Sequence, residues 1–407
     1  MKRNSTSVMA LAMAALIVGP PIPVRAQAQS TAPFRIGVVE DFSGVYSDLT
    51  TGNVESATMA VEDFGGKVLG RPIEVVSADH QNKPDIGASI ARKWYDVDDV
   101  KMIVGIGSSA VALAVRAVAR EKGKVDLNNS AGTIDLTGKQ CSPTGAHWTF
   151  DTYSLAKVIG TAVVKSGGDT WFFLAADYAF GAALERDTTK FVLANGGKVL
   201  GGVKHPLSTS DFASYLLQAQ SSKAKVIGLA NAGGDTVNAI KQAGEFGIVK
   251  AGQQLAGLLI FSSDVKALGL EVAQGLYLTE SFYWDLNDDT RTWTARFRQK
   301  RDKLPNMLTA GIYSATLHYL KAVQAAGTEE PMAVMAKMRE LPISDQTLKS
   351  GKLREDGRVV RDMYLFQVKA PAESKGKDDI YKLIATVPGN EAYRPIEDGD
   401  CPYLMKK

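Results

Sequence analysis

Strand-like apolar runs alternate with helix-like spacings along most of this 407-residue chain, and this alternation limits the folds open to it. Residues 34–39 (FRIGVV) and 73–78 (IEVVSA) are strand-like, and each is followed by apolar residues at helical spacing. Neighbouring parallel strands need a right-handed crossover, which a helix usually supplies. The sequence therefore predicts an α/β chain with parallel sheets.

The same pattern begins again near residue 170, which indicates a second unit. Residues 170–175 (TWFFLA) and 226–230 (VIGLA) are strand-like and precede helical spacings, and residues 255–261 are predicted as a further strand. The chain is also too long for one ordinary domain. We predict two doubly wound parallel-sheet lobes.

The N-terminus has the pattern of a secretory signal peptide. Lys2 and Arg3 precede an apolar stretch at residues 8–19, and an A-x-A site follows at residues 26–28. A membrane anchor is less favoured, because a span needs roughly 18 to 20 apolar residues. We predict a signal peptide over residues 1–28, with cleavage after Ala26 or Ala28, and an exported protein whose later segments do not span a membrane.

Charge and cysteine content narrow the range of functions. The formal charge is +3, and it falls to zero when the leader with Lys2, Arg3 and Arg25 is removed, so the mature chain has no electrostatic basis for binding nucleic acid. Two cysteines, Cys141 and Cys401, are predicted to form one disulfide in an oxidising compartment, with two independent buried thiols as the alternative.

Residues 103–110 (IVGIGSSA) contain a G-x-G-x-x-A string after a strand-like run. A dinucleotide fingerprint would follow the first strand and would have an acid at the end of the next one. Here the string follows the third strand, and Asp126 is at the start of a strand, so no nicotinamide cofactor is predicted. Ser108 or Ser109 is expected at a helix N-cap, where free N–H groups favour an anion such as a carboxylate; a plain serine-capped helix is the alternative.

Three other strand-to-helix turns have small or polar residues, at 128–135, 175–181 and 230–235. Ligands of open parallel sheets bind outside the carboxyl ends of the strands. These turns are therefore predicted to face one another across a ligand cleft.

Catalytic and metal-binding patterns are not found in the sequence. It has no G-x-S-x-G or H-E-x-x-H motif, and its four histidines are scattered. The neighbouring carboxylates Glu40 and Asp41 are predicted to be solvated or to cap a helix. We therefore predict neither an enzyme nor a cofactor or metal site.

Several motifs together resemble one family. They are I-G-x-x-x-x-x-S-G at residues 36–44, G-x-x-L-G-R-x-I-E-V at 66–75, V-G-x-x-S-S at 104–109 and S-A-x-x-x-x-L-T at 130–137. With these motifs the chain resembles the solute-binding proteins of ABC importers, in the type I group related to leucine/isoleucine/valine-binding proteins.

The resemblance implies two lobes joined by three hinge strands and closing on a ligand. The N-terminal lobe would comprise residues 29–150 and 283–355, and the C-terminal lobe residues 151–282 and 356–407. The residues that correspond to the family's ligand contacts are Ser108, Ser109, Ala110, Ala131, Gly132 and Thr133 for the carboxylate, and Tyr178, Phe180, Asn231 and Ala232 in the second lobe.

The chain departs from amino-acid binders of this group at one position. These proteins offer an acid to the ligand ammonium where residues 258–261 stand here, although Asp264 or Asp177 could substitute. Additional aromatic residues are expected near the cleft, as in a subgroup linked to aromatic carboxylates: Phe42, Trp148, Tyr153, Phe180, Tyr283 and Trp284.

The predicted function is that of a monomeric periplasmic protein that binds a small aromatic or hydrophobic carboxylate and delivers it to an inner-membrane permease. A branched-chain amino acid or amide is the alternative ligand, and sensing for a signalling partner is the alternative function.

Overall fold

The first part of the chain alternates strands and helices as predicted. The structure, a computed structural model, describes Met1 and residues 32–405, so the predicted signal peptide beyond Met1 is outside the described residues. The first elements are β1 (Phe34–Glu40), α1 (Ser47–Thr50), α2 (Asn53–Phe64), β2 (Lys67–Val68), β3 (Arg71–Asp79), α3 (Pro84–Asp96), β4 (Val100–Gly105), α4 (Ser109–Glu121), β5 (Val125–Asn128) and β6 (Gly145–His147).

These strands form a six-stranded sheet in the order β2-β3-β1-β4-β5-β6. All pairs are parallel except that of β2 with β3, which is antiparallel. The carboxyl ends of β1, β4 and β5 therefore lie at one edge of the sheet. The turns that follow these three strands meet there.

A second parallel sheet follows. Its elements and their neighbours are α5 (Thr152–Lys165), β7 (Thr170–Ala176), α6 (Ala179–Ala194), β8 (Lys198–His205), α7 (Ala213–Ser221), β9 (Val226–Ala230), α8 (Gly234–Glu245), β10 (Gln254–Gly257), α9 (Ser262–Leu268), α10 (Leu270–Ala273) and β11 (Tyr277–Glu280). The sheet order is β10-β9-β7-β8, and every pair is parallel. The predicted strand at 255–261 is wrong in its second half, because β10 ends at Gly257.

The rest of the chain packs against elements of both lobes. It forms α11 (Asp288–Lys300), α12 (Met307–Ala326), α13 (Pro331–Glu340), β12 (Ile343–Asp345), β13 (Leu348–Leu353), β14 (Val359–Val360), β15 (Met363–Val368), β16 (Tyr381–Val387) and α14 (Gly389–Ala392). Helix α12 packs on α2 and β4, whereas β15 pairs with β11 and β16. The chain thus passes between its two lobes after β6, after β11 and after β14.

The C-terminal segment is bonded to the loops that follow β5 and β6. The predicted disulfide between Cys141 and Cys401 is present. Nearby, Arg394 Nη2 donates to the Ile134 carbonyl at 3.3 Å, and the Tyr393 hydroxyl donates to the Thr149 carbonyl at 2.8 Å. The loop after β5 is therefore held by the end of the chain.

Among the residues that the structure describes, no helix combines the length and the apolar character needed to cross a membrane.

Candidate ligand-binding site

A cavity lies where the turns after β4, β5, β7, β9 and β10 meet α1 and the start of α12. Its lining comes from both lobes. The lining residues are Tyr46, Leu49, Thr50, Gly107, Ser108, Ser109, Ser130, Ala131, Gly132, Phe150, Tyr178, Phe180, Ala232, Leu259, Phe261 and Leu308. Such a concave, largely apolar pocket with a few polar groups is typical of small-molecule sites.

One end of the cavity is formed by the beginning of α4. Ser108 is the N-cap residue, but its side chain makes no capping bond, and its buried Oγ has no hydrogen-bond partner among the described residues. Ser109 Oγ accepts from the backbone N–H groups of Gly132 (3.4 Å) and Thr133 (3.2 Å). This leaves the Ser109 hydroxyl hydrogen free to be donated elsewhere.

The backbone at this end also favours an anion. The helix bonds of α4 begin with Ala112 N–H donating to the Ser108 carbonyl at 2.7 Å. The N–H groups of residues 109–111 precede that bond, and they are at the positive end of the helix dipole. Hydroxyl and N–H donors therefore converge at one place, which is the chemistry that holds a carboxylate.

The other walls of the cavity are apolar. Phe150 and Phe180 flank Gly132 so closely that a Cβ there would lie 3.0 Å from one ring and 2.8 Å from the other. Phe150 also meets Phe261 edge to face, with ring centroids 6.4 Å apart. Leu49, Leu259 and Leu308 complete this surface, which suits a flat or branched apolar body.

The two lobes touch above the cavity. The hydroxyls of Tyr46 and Tyr178 are hydrogen-bonded to each other, and Gly234 N–H donates to the Val45 carbonyl at 3.4 Å. Burial raises the pKa of both tyrosines, so both are neutral at physiological pH. Residues of the two lobes are therefore in direct contact beside the cavity.

No carboxylate lines this cavity within the described part of the chain. Asp264 instead accepts from the Phe261 N–H at 2.9 Å, and burial raises its pKa to about 7. Asp177 is exposed beside Lys204. Neither candidate substitute is placed to pair with a ligand ammonium. The described residues also contain no His, Cys, Asp and Glu group suited to a metal ion.

Glu40 lies directly behind the serine turn, and the prediction that it is solvated or caps a helix is wrong. Its fully buried Oε1 accepts from Asn53 Nδ2 and Ser130 Oγ, each at 2.7 Å. A Cβ on Gly105 would lie 2.6 Å from Oε1, and one on Gly107 would lie 2.4 Å from Oε2. These two glycines therefore make room for the Glu40 carboxyl group.

Replacing Glu40 with glutamine is expected to reduce the pH dependence of the free energy of unfolding. Burial raises the pKa of Glu40 from 4.5 to about 8. Between these values the folded chain keeps a proton that the unfolded chain has lost. The contribution of Glu40 to the free energy of unfolding is therefore complete below pH 4.5. As the pH rises to about 8, the free energy of unfolding falls by up to about 1.4 kcal/mol per pH unit.

Urea unfolding at several pH values between about 5 and 8 measures this effect. Glu74→Gln, at an exposed glutamate on β3, is the matched control and should keep the wild-type slope. Equal slopes for Glu40→Gln and the wild type would contradict the assignment.

Seven of the ten residues that correspond to the family's ligand contacts line the cavity. They are Ser108, Ser109, Ala131, Gly132, Tyr178, Phe180 and Ala232. Ala110 and Thr133 belong to the same turns but are not part of the lining. The seven residues that line the cavity each lie two to four residues after the end of a strand.

The other expected side chains lie elsewhere. Asn231 contacts His205 Nε2 at 3.0 Å and accepts from Thr236. Phe42 packs on the first lobe's core, and Tyr153 packs on Phe191. Tyr283 packs on Phe366 and Tyr381, and it donates to the Asp378 carbonyl at 3.0 Å.

Residues 33–377 match a family model described as periplasmic binding protein. The chain belongs to the periplasmic binding protein family. Its two parallel-sheet lobes are those of the type I fold.

Three solved structures illustrate the similarity. A periplasmic binding protein from Burkholderia mallei is 54% identical, with a TM-score of 0.89, and the match covers 91% of this chain and 98% of that one. A branched-chain amino acid ABC transporter ligand-binding protein from Burkholderia xenovorans is 38% identical, with a TM-score of 0.81 and coverage of 91% and 99%.

The third is a solute-binding protein from Rhodopseudomonas palustris in complex with 3,4-dihydroxybenzoic acid. It is 21% identical, with a TM-score of 0.79 and coverage of 88% and 98%. At this identity the likeness concerns the fold alone.

Proposed function

We propose that this periplasmic binding protein is the solute-binding component of an ABC importer and that its ligand is a small carboxylate with an aromatic or hydrophobic body. The observation that carries the proposal is the Ser108 Oγ at the start of α4, which has no hydrogen-bond partner among the described residues and lies in a cavity with aromatic walls. The carboxylate would accept from Ser108, Ser109 and the first N–H groups of α4. Its apolar body would pack between Phe150, Phe180 and Phe261.

A free amino acid fits this cavity less well. Its ammonium group would be buried without a counter-charge, because the described lining contains no carboxylate, and burying an unpaired charge is costly. The name of the Burkholderia xenovorans relative favours a branched-chain amino acid, which is therefore the alternative ligand.

Ligand capture would proceed by closure of the two lobes. The lobes would comprise residues 29–150 with 283–355 and residues 151–282 with 356–407. The contact between Tyr46 and Tyr178 supports such a closed state, since one residue comes from each side of the cleft. A ligand that touches both lobes stabilises the closed form relative to the open one.

The family match supports a proposal for the location and the partner. We place the protein in the periplasm, exported by the signal peptide proposed for residues 1–28, as a monomer that delivers its ligand to an inner-membrane ABC permease.

Thermal unfolding of refolded, ligand-free protein tests the ligand class. Benzoate, cyclohexanecarboxylate, benzamide, phenylalanine and leucine form a suitable set. Benzoate or cyclohexanecarboxylate should raise the Tm by about 3 °C at one hundred times its Kd, which corresponds to about 2.7 kcal/mol. A shift with leucine or phenylalanine alone would overturn the carboxylate proposal in favour of an amino-acid binder.

A further inference from the structure

The carboxyl group of Glu40 lies directly behind the end of the cavity that is proposed to hold the ligand carboxylate. A Cβ on Gly107 would be 2.4 Å from Glu40 Oε2, and Ser130 Oγ donates to Oε1 at 2.7 Å. Gly107 and Ser130 both line the cavity, and Ser108 follows Gly107 in the chain. A charge on Glu40 would therefore lie close to a carboxylate bound at the start of α4.

The surroundings of Glu40 offer little compensation for a negative charge. The residue is fully buried, and the two side chains that donate to its Oε1 are uncharged: the amide of Asn53 and the hydroxyl of Ser130. A buried carboxylate without a cation is costly, so burial favours the protonated carboxyl group.

Titratable groups reach Glu40 from its own strand and from β3. Asp41 follows it in the chain and acts on it as a like charge, which also favours the protonated form. On β3, Asp79 is its partner in the strand register, and the His80 N–H donates to the Glu40 carbonyl at 2.9 Å. Burial lowers the pKa of His80 to about 4, so this ring is neutral at neutral pH and supplies no positive charge.

We propose that Glu40 determines which ligand charge the cavity accepts, because a carboxylate binds there together with a proton held on Glu40. With this proton in place, the wall behind the serine turn is neutral and an anion can bind at the start of α4. Without it, two negative charges repel each other through the buried wall, where screening by water is weak. A neutral ligand is not repelled. This inference rests on the proposed carboxylate ligand.

The pH dependence of the affinity follows from the linkage between the proton and the ligand. Burial raises the pKa of Glu40 to about 8, so below this pH the free and the liganded protein are both protonated and the Kd is constant. Above it, the free protein loses a proton that the liganded protein keeps. The Kd of a carboxylate should then rise by up to about tenfold per pH unit.

Calorimetric titration of ligand-free protein at pH 7.5 and 9 tests the proposal with benzoate, which is ionised at both values, and with benzamide. Cyclohexanecarboxylate and its amide replace them if only that acid binds. In the wild type the Kd for benzoate should rise about fivefold between the two pH values, and the Kd for benzamide should not change.

Two variants assign this effect to one carboxyl group. Glu40→Gln replaces the carboxyl group with a neutral amide of the same shape, so its Kd for benzoate should be the same at both pH values. Glu74→Gln, at an exposed glutamate, is the matched control and should keep the wild-type rise. Burial raises the pKa of Asp264, behind Phe261, to about 7, so its titration would affect the wild type and Glu40→Gln alike. An equal rise in Glu40→Gln and the wild type would overturn the proposal.

Proton uptake by the wild type gives a second test that needs no variant. At pH 9 the binding of benzoate should take up protons, so the measured enthalpy should depend on the ionisation enthalpy of the buffer, whereas benzamide should take up none. Benzoate binding without proton uptake, or with the same Kd at both pH values, would overturn the role of Glu40 and leave the carboxylate ligand in place. If neither acid binds at pH 7.5, the proposed ligand and this inference both fail.

Discussion

Replacing Arg116 with methionine is expected to lower the free energy of unfolding by about 3–5 kcal/mol. Arg116, on α4, and Asp126, on β5, are completely buried, and Nε lies 2.6 Å from Oδ2. Arg116 also donates to the carbonyls of Leu136 at 2.7 Å and Ala146 at 3.0 Å. Methionine would leave one buried charge and two carbonyls without partners. Urea unfolding of the two proteins measures the loss.

The double variant Arg116→Met/Asp126→Leu distinguishes a buried charge from a simple packing defect. Removing both charges of a buried pair is often neutral, so most of the lost stability should return. A single variant within about 0.5 kcal/mol of the wild type, the range of ordinary surface changes, would contradict the prediction. A double variant no more stable than the single one would show that packing dominates.

The sequence predicts the architecture because its signals are local. A strand-like run followed by helical spacing needs no knowledge of distant residues, and the parallel arrangement places strand ends at one edge. The turns at Ser108, Gly132 and Ala232 could therefore be assigned to a common site before the fold was known. The same reasoning led to the turn after β7, whereas Tyr178 and Phe180 within that turn were identified from the family resemblance.

The run at residues 255–261 shows where local signals fail. Periodicity alone does not separate a buried strand from an apolar turn. Here Leu258 and Ile260 are buried in cores, while Leu259 and Phe261 reach the cavity. The whole run is apolar because it is covered on every side, and only its first part forms sheet bonds.

Aromatic residues were the least predictable part of the site. The positions of aromatic residues in the sequence indicate a cleft rich in aromatic side chains, but they do not show which rings face the cleft. Phe42, Tyr153 and Tyr283 pack in the lobes, whereas Tyr46 and Phe150 line the cavity. Leu308 was also missed, since it reaches the site from α12, far away in the sequence. Such placements depend on the way in which the chain returns to its first lobe.

Replacing Ser108 with alanine is expected to weaken the binding of benzoate, or of the carboxylate that stabilises the protein best, about 10- to 100-fold. A hydrogen bond to a charged group contributes about 1.5–3 kcal/mol. The Ser108 side chain makes no capping bond, so its loss should leave the free energy of unfolding within about 0.5 kcal/mol of the wild type. Calorimetric titration of ligand-free protein measures the affinity.

Benzamide, the amide that corresponds to benzoate, shows whether Ser108→Ala removes a contact with the carboxylate or changes the cavity in general. Benzamide has no charge, and a neutral hydrogen bond contributes only about 0.5–1.5 kcal/mol, so its affinity should change much less. Ser142→Ala, at a buried serine that contacts Thr144 outside the cavity, should bind benzoate as the wild type does. If Ser108→Ala bound benzoate as tightly as the wild type, the carboxylate would have to lie at another part of the cavity. The start of α4 would then be an ordinary helix N-terminus.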